Sequence, residues 1–154
     1  MNRKVSILGP LVGFVLLSMA CSFSVDLGQT SQTEIIDVRA DQVWTSTGIE
    51  IEAGDLLTIN YISGRWSPGL YEDVDALGYG GNPRSINNVI MGVSHAALIG
   101  RIGDHDPFFV GDQFSHTVGE SGVLFLGIND KDLGNNSGTL EIEIQVTKNL
   151  LFGP

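Results

Sequence analysis

The densest group of oxygen-bearing side chains in the sequence lies between two predicted β-strands. Over the seven positions 130–136 it offers Asp130, Asp132, Asn135 and Asn136. Calcium is a hard cation that binds about six to eight oxygen atoms from carboxylates, amides and backbone carbonyls. Aspartate and asparagine are also common in ordinary turns, so the alternative is a polar hairpin loop. The density of these side chains, beside glycines, favours a calcium-binding loop.

The spacing within this loop excludes the helix–loop–helix type of calcium site. If Asp130 is position one, Asp132 falls at position three and Glu141 at position twelve, but a glycine stands at position five instead of six. The flanking residues also have the alternation of strands. A calcium ion here would therefore be held between strands.

Motifs for catalysis are missing from the sequence. His95, His105 and His116 lack the helical spacing of a metal-binding pair, and no nucleophile elbow surrounds Ser121. Acidic residues are numerous, but most of them fall in turns or on the solvent face of strands. Glycoside hydrolysis instead needs a carboxyl group in an apolar setting that raises its pKa. The sequence therefore predicts a protein that is not an enzyme.

Length and charge limit the class of protein further. The chain has 154 residues, of which 42% are hydrophobic and 17% charged, and this suits one globular domain. Eighteen acidic residues against eight basic ones give a net charge of −10, which opposes binding to nucleic acid. The single cysteine excludes an internal disulfide and a cysteine-based zinc cage.

The amino terminus has the features of an export signal. A short basic segment precedes an uncharged, mostly apolar stretch that is short for a membrane span. Ser18 and Ala20 are small residues placed for cleavage before Cys21, and the cut resembles a bacterial lipobox, although a branched apolar residue is usual where Ser18 stands. We expect residues 1–20 to be a signal peptide, Cys21 to be lipidated and residues 21–32 to be a tether. Ordinary secretion with an incidental cysteine is the alternative.

Short alternating segments separated by turn residues predict an all-β fold. Residues 139–146 alternate apolar and polar side chains, which is typical of a strand with one buried and one solvated face. Further strands are predicted at residues 34–38, 48–52, 56–62, 96–102, 107–110 and 122–128. Together they indicate one antiparallel β-sandwich or barrel domain over residues 33–148, followed by a tail at 149–154. A long loop at 67–88 interrupts the strands, and loops of this size are often functional or mobile.

Four separated motifs follow one another along residues 38–146. They are Trp44-Thr45-Ser46-Thr47-Gly48-Ile49 with Ala53-Gly54-Asp55, Ser63-Gly64-Arg65-Trp66, Ala97-Leu98-Ile99-Gly100-Arg101-Ile102-Gly103, and Asn129-Asp130 with Gly134-Asn135-Asn136-Ser137-Gly138. In this order they resemble the LecA-like (PA-IL type) family of bacterial calcium-dependent galactophilic lectins, and the most specific part of the resemblance is the calcium loop.

The resemblance implies an antiparallel β-sandwich of jelly-roll or galactose-binding type that holds one calcium ion at an end loop, with sugar hydroxyl groups completing the coordination of the metal. Carried over by motif, the side-chain ligands would be Asp130, Asn135 and Asn136. Backbone carbonyl ligands would come from Asp132 and from the loop near Gly69. Asp130 and Asn135 would also hydrogen-bond the bound hydroxyl groups and fix their geometry.

Two departures from the family pattern affect the sugar site. The spacing from Asp130 to Asn135 is shorter than in the galactose-binding type member. The His-Pro and Gln elements that contact the sugar in that member have no counterpart here, so galactose specificity is not inherited. The corresponding region contains Asn82 and the adjoining loop contains Tyr71, and we take these two residues as candidate sugar contacts.

Acidic and aromatic residues near the long loop have several interpretations. Glu72, Asp73 and Asp75 could rebuild the sugar site, add carboxylates to the calcium or simply be solvated. Trp66 stands at a strand end, where packing in the core is more common than stacking on a sugar.

The sequence thus predicts an exported, calcium-dependent carbohydrate-binding domain that is lipid-anchored at the cell envelope or secreted. Its partner would be a glycan, its only contact with a membrane would be the lipid on Cys21, and a homo-oligomer would gather several weak sites. Two alternatives stay open: a structural cell-surface domain in which calcium only rigidifies the loop, and a small glycan-active enzyme. An open coordination position facing a cleft would distinguish a sugar-binding domain from a structural one.

Overall fold

The computed structural model describes residues 25–26, 29–69, 72–80 and 86–149. These residues contain nine β-strands and one short 3₁₀ turn, Leu133–Asn135. The strands are β1 (Val25–Asp26), β2 (Gln29–Arg39), β3 (Thr45–Ile51), β4 (Leu56–Ser67), β5 (Leu98–Ile102), β6 (Phe108–Phe109), β7 (Gln113–Thr117), β8 (Gly122–Ile128) and β9 (Ser137–Asn149).

Several of the sequence-based expectations fall outside the described residues. They concern the signal peptide, Cys21, Tyr71, Asn82 and nearly all of the tail. In the part of the chain that is described, no helix has the length and apolar character needed to cross a membrane.

The strands form two antiparallel sheets that pack face to face around one core. The five-stranded sheet has the order β1-β2-β9-β4-β7, and the four-stranded sheet has the order β3-β8-β5-β6. Every pair of neighbouring strands is antiparallel. This arrangement confirms the predicted antiparallel β-sandwich.

Alternate residues of β9 fill the space between the sheets, as their sequence pattern predicts. The buried side chains of this strand are Leu140, Ile142, Ile144 and Val146, and none of them is more than 2% exposed. Trp66, at the end of β4, is fully buried, and its indole Nε1 donates a hydrogen bond to the Ala96 carbonyl at 2.8 Å. Its role in the core is the one expected.

Strand boundaries differ from the predicted ones where backbone pairing decides the structure. β2 begins at Gln29 and β9 continues to Asn149, because these polar residues pair with each other through the backbone. The sequence pattern does not predict β7, whose side chains are mostly exposed along the edge of the five-stranded sheet. The strand expected over 96–102 begins only at Leu98, because Ala96 has a φ of 60°, in the left-handed region that interrupts an extended strand.

The long connection between β4 and β5 folds back onto the sandwich where it is described. Val74 and Trp66 exchange two backbone hydrogen bonds, at 2.8 and 3.0 Å. Ala76 and Asn88 are fully buried. This packing places residues 86–97 beside the loop that follows β8.

The two outer surfaces of the sandwich differ in composition. Paired residues of neighbouring strands lie on the same face of a sheet, so the strand register assigns each side chain to a face. We call the outer surface of the five-stranded sheet the polar outer face; its members include Asp37, Arg39, Thr58, Asn60, Glu141 and Glu143. We call the outer surface of the four-stranded sheet the aromatic outer face; its members include Trp44, Ser46, Glu50, Ile99, Arg101, Phe109 and Phe125.

Candidate functional site

The loop that connects β8 to β9, at one end of the sandwich, is stabilised by hydrogen bonds between its own residues. Asp130 Oδ1 accepts a hydrogen bond from the Asp132 backbone N–H at 3.0 Å, which is the usual way an aspartate stabilises a local turn. The 3₁₀ turn follows, and the Asn136 N–H donates to the Leu133 carbonyl at 3.2 Å before β9 begins. These bonds hold all the predicted ligands of this loop in one compact turn.

Two of the predicted ligands are buried and two are exposed. Asp130 is 4% exposed and Asn136 is 8% exposed, whereas Asp132 and Asn135 lie at the surface. Asn136 Nδ2 donates to the Ala40 carbonyl at 3.4 Å, but Asn136 Oδ1 is buried without a hydrogen-bond partner among the described residues. A buried acceptor that lacks a donor costs about 1–3 kcal/mol. A bound cation is one partner that would satisfy it.

Gly69, in the loop after β4, lies against this turn. Its φ is +82°, and a Cβ atom built on it would come within 2.3 Å of Asn135 Nδ2. Glycine is suited to this position because the backbone is left-handed and the approach is close. The fold therefore brings the two loops that were predicted to share a metal into contact, although the ligand roles themselves stay predictions.

The Asn129 side chain joins the long connection between β4 and β5 to the loop that follows β8 through hydrogen bonds. It is fully buried, and its Oδ1 accepts a hydrogen bond from the Ile90 N–H at 2.7 Å. Its Nδ2 lies 3.0–3.3 Å from the carbonyl oxygens of Ile90, Val93 and Ser94. Because one amide group supplies both the acceptor and the donors, it fixes the conformation of residues 90–94 beside Asp130.

His95 is a candidate functional residue that the sequence pattern misses. It is 4% exposed, and its Nε2 lies 3.9 Å from Asp130 Oδ2. Its Nδ1 lies 2.9 Å from Asn88 Oδ1, while Asn88 Nδ2 donates to the Val93 carbonyl at 2.9 Å. Since that second bond turns the Asn88 oxygen toward the ring, His95 Nδ1 is the donor and Nε2 faces the carboxylate. The two residues are far apart in sequence, so no local motif signals their pairing.

The acidic residues of the long connection are at the surface or in turns. Glu72 and Asp73 are exposed. Asp75 Oδ1 accepts a hydrogen bond from the Leu77 N–H at 3.0 Å and so stabilises a turn. Of the three roles left open by the sequence, solvation fits the first two residues, and a turn-forming role fits Asp75.

The chemical nature of the loop suits a hard cation bound with few charges. In the part of the chain described, no three His, Cys, Asp or Glu side chains cluster as a metal site. A cation at the loop would therefore be held by the buried Asp130 carboxylate together with amide and backbone carbonyl oxygens. Such a set fits calcium better than zinc, which prefers nitrogen and sulfur ligands.

One solved structure with a similar fold is the N-terminal domain of EclA, described as a PllA-like lectin. It matches this chain with a TM-score of 0.57 at 20% sequence identity, and the match covers 73% of this chain and 94% of that one. No protein-family model and no curated protein matches the sequence. At this level of identity the similarity concerns the fold, which is that of a β-sandwich found in a lectin domain.

Proposed function

We propose that this protein is a calcium-dependent carbohydrate-binding domain. The observation that carries the proposal is the buried Oδ1 of Asn136, which has no hydrogen-bond partner among the described residues, in a loop that also buries the Asp130 carboxylate. A buried carboxylate and a buried amide oxygen in one turn are two of the ligand types that calcium takes. The similarity of fold to a lectin domain supports the carbohydrate part of the proposal.

The metal would be bound by Asp130, Asn135 and Asn136 through their side chains and by Asp132 and Gly69 through their carbonyl groups. Calcium affinity rises with the number of charged ligands and with the rigidity of the site. Because the only buried carboxylate in this set is that of Asp130, we expect weak binding, with a Kd of about 0.1–1 mM as in other extracellular modules.

A calcium ion with positions left open could accept two hydroxyl groups of one sugar. The exposed Asn135 amide would then hydrogen-bond the same hydroxyl groups and fix their orientation. Such a shallow site buries little surface, so a monovalent sugar should bind with a Kd of about 0.1–1 mM. Since the His-Pro and Gln elements of the galactose-binding type member have no counterpart, we do not expect galactose to be preferred.

The metal is tested by thermal unfolding in calcium and in chelator. If calcium is present at about ten times its Kd, mass-action linkage stabilises the folded state by about 1.4 kcal/mol, or about 5 °C in Tm. Asp130→Asn should remove most of this shift, while Asp112→Asn, which changes an exposed aspartate of another turn, should retain it. Identical melting curves of the wild-type protein in calcium and chelator would contradict the metal site.

The sugar is tested by glycan-array binding of the purified protein with and without chelator. Binding should be lost in chelator and in the Asp130→Asn variant, because the metal bridges protein and sugar. Equal binding in chelator would show that the sugar is held without calcium.

A second candidate function is a structural cell-surface domain that binds no sugar. It is favoured by the contacts that Asp130 already makes within the protein, because Oδ1 accepts a hydrogen bond from the Asp132 N–H and Oδ2 lies 3.9 Å from His95 Nε2. A calcium-dependent rise in Tm without any glycan binding would select this function.

Export and anchoring are part of the proposed function. We propose that the chain is exported and lipidated at Cys21, which would display the domain at the cell envelope. Expressed in a bacterium with its own signal, the protein should partition into detergent, and Cys21→Ser should release it or block its processing. A wild-type protein that is fully soluble after export would establish ordinary secretion instead.

A further inference from the structure

The two oxygen atoms of the Asp130 carboxylate have different surroundings. Oδ1 accepts a hydrogen bond from the Asp132 N–H, within the loop that follows β8. Oδ2 instead faces the long connection, where it lies 3.9 Å from His95 Nε2. The His95 and Asp130 side chains are only 5% and 3% exposed. The carboxylate therefore offers one oxygen atom to its own loop and the other to a buried imidazole from a distant segment.

The negative charge of Asp130 is buried away from lysine and arginine. Burial of a carboxylate is costly unless a positive group or a metal ion lies close to it. Among the described residues, no lysine or arginine forms a salt bridge with this carboxylate, and His95 is the basic side chain that approaches it. The charge must therefore be balanced from the side of His95 or by a bound cation.

The hydrogen bonds of Asn88 decide which ring nitrogen of His95 carries a proton. Asn88 is fully buried, and its Nδ2 donates to the Val93 carbonyl at 2.9 Å. Its Oδ1 therefore accepts from His95 Nδ1, also at 2.9 Å. In the neutral imidazole Nε2 is then the nitrogen with a lone pair, and it faces Asp130 Oδ2. A histidine that binds a metal usually donates from its other ring nitrogen in this way.

The gap between His95 Nε2 and Asp130 Oδ2 suits a metal ion better than a hydrogen bond. An N–H···O hydrogen bond has an N···O distance of about 2.7–3.2 Å, whereas this gap is 3.9 Å. A transition metal binds an imidazole nitrogen and a carboxylate oxygen at about 2.0–2.2 Å each, and two such bonds span the gap at an obtuse angle. A nitrogen ligand favours zinc, nickel or cobalt over calcium, which takes oxygen ligands.

We propose that His95 Nε2 and Asp130 Oδ2 bind a divalent transition-metal ion of the zinc class. This position is separate from the calcium proposed for the loop, although the two ions share the Asp130 carboxylate. Two protein ligands leave the remaining coordination positions of the ion to water. The ion joins the long connection to the loop after β8, two segments that the Asn129 hydrogen bonds already hold together. Its binding needs neither calcium nor a sugar.

A zinc titration followed by NMR of the histidine rings tests the site in the wild-type protein. The full chain is isotope-labelled, purified without a histidine tag in non-ionic detergent, and freed of metal by a chelator. At one equivalent of zinc, the Nε2 resonance of His95 should shift because this nitrogen binds the metal. The ring resonances of the exposed His105 and His116 should stay unchanged. This measurement locates the ion without relying on the folding of a variant.

His95→Asn removes Nε2 and keeps an amide N–H that can donate to Asn88 in place of Nδ1. Isothermal titration calorimetry should show zinc affinity lowered by more than about tenfold in this variant. His105→Asn is the matched control, because it removes an exposed histidine that stands between Asp104 and Asp106, and it should keep the wild-type affinity.

The outcomes for zinc and for calcium can be told apart. His95 resonances that do not respond to zinc, or a His95→Asn variant with unchanged zinc affinity, would overturn this proposal. If calcium still raised the Tm in that case, the proposed carbohydrate-binding function would stand without the second metal. Zinc binding at His95 without any effect of calcium on Tm would support this site and contradict the calcium site.

Discussion

The two outer faces of the sandwich differ in composition and in the contacts that their side chains make. On the polar outer face, side chains bond to one another across strands: Asn60 Nδ2 donates to Glu143 Oε2 at 3.1 Å, and Ser63 Oγ donates to Glu141 Oε2 at 2.9 Å. On the aromatic outer face, Ile99 is fully buried and two aromatic rings lie against the Arg101 guanidinium group. The first surface is polar and bonded to itself through side chains, whereas the second combines aromatic rings with an arginine.

Because the two faces are built so differently, the two sheets should respond differently to the same substitution. Removing methylene groups from a buried position costs transfer free energy and leaves a cavity, whereas an exposed position loses little of either. Matched pairs of substitutions, one on each face, therefore measure how strongly the faces differ.

The largest effect is expected from replacing an isoleucine on each outer face by alanine. Ile99→Ala should lower the free energy of unfolding by about 2–5 kcal/mol, because Ile99 is fully buried. Ile35→Ala, at a position that is 59% exposed on the polar outer face, should change it by less than about 0.5 kcal/mol. Urea denaturation of both variants measures these values. Equal losses would show that the two faces are buried alike.

A smaller effect is expected from adding one methyl group under the Trp44 ring. A Cβ atom at Gly127 would lie 2.6 Å from the Val43 carbonyl oxygen and 3.1 Å from the Trp44 ring. Gly127→Ala should therefore destabilise the fold by about 1–3 kcal/mol through overpacking. Gly119→Ala is the matched control, since nothing lies within 4 Å of the added atom. Thermal unfolding compares the two variants, and an unchanged Tm for Gly127→Ala would show that the indole does not lie on the sheet.

The smallest effect concerns an ion pair at the polar outer face. A hydrogen bond from Arg39, together with the charge of that residue, lowers the pKa of Asp41 below its ordinary value of 3.8. A carboxyl group whose pKa is lower in the folded than in the unfolded protein stabilises the folded state at pH values above its ordinary pKa. This stabilisation is lost as the pH falls through the lowered pKa. Arg39→Ala should raise the pKa of Asp41 toward 3.8 in an NMR titration. At neutral pH it should hardly change Tm, because the pair is exposed and screened; a large fall in Tm would contradict this.

Much of the fold follows from side-chain alternation. The strict pattern of residues 139–146 predicts a strand with one buried face, and Leu140 and Ile142 are indeed fully buried between the sheets. β7 does not follow from its sequence, because an edge strand is held by backbone pairing and only Phe114 of this strand packs against the core. Alternation also fails to predict the aromatic outer face. Apolar residues at consecutive positions of β5 indicate that both faces of this strand are buried, but they do not indicate which residues cover each face.

Less of the candidate site follows from local sequence. The cluster of oxygen-bearing side chains indicates where a cation could bind, because those residues are adjacent along the chain. The pairing of His95 with Asp130 and the Asn129 hydrogen bonds to residues 90–94 depend on how the long connection folds back. Such contacts between distant segments have no periodicity or spacing that a single sequence displays.

The positions of the two tryptophans give the protein two separate optical reporters. Trp66 is fully buried and hydrogen-bonded to Ala96, so its fluorescence should be shielded from a dissolved quencher such as iodide. Trp44 is half-buried and packed against Arg101, where a quencher can reach it. Replacing either tryptophan by phenylalanine leaves the other as the single emitter. Movements of the long connection and covering of the aromatic outer face could then be followed independently, in the same protein and without an added dye.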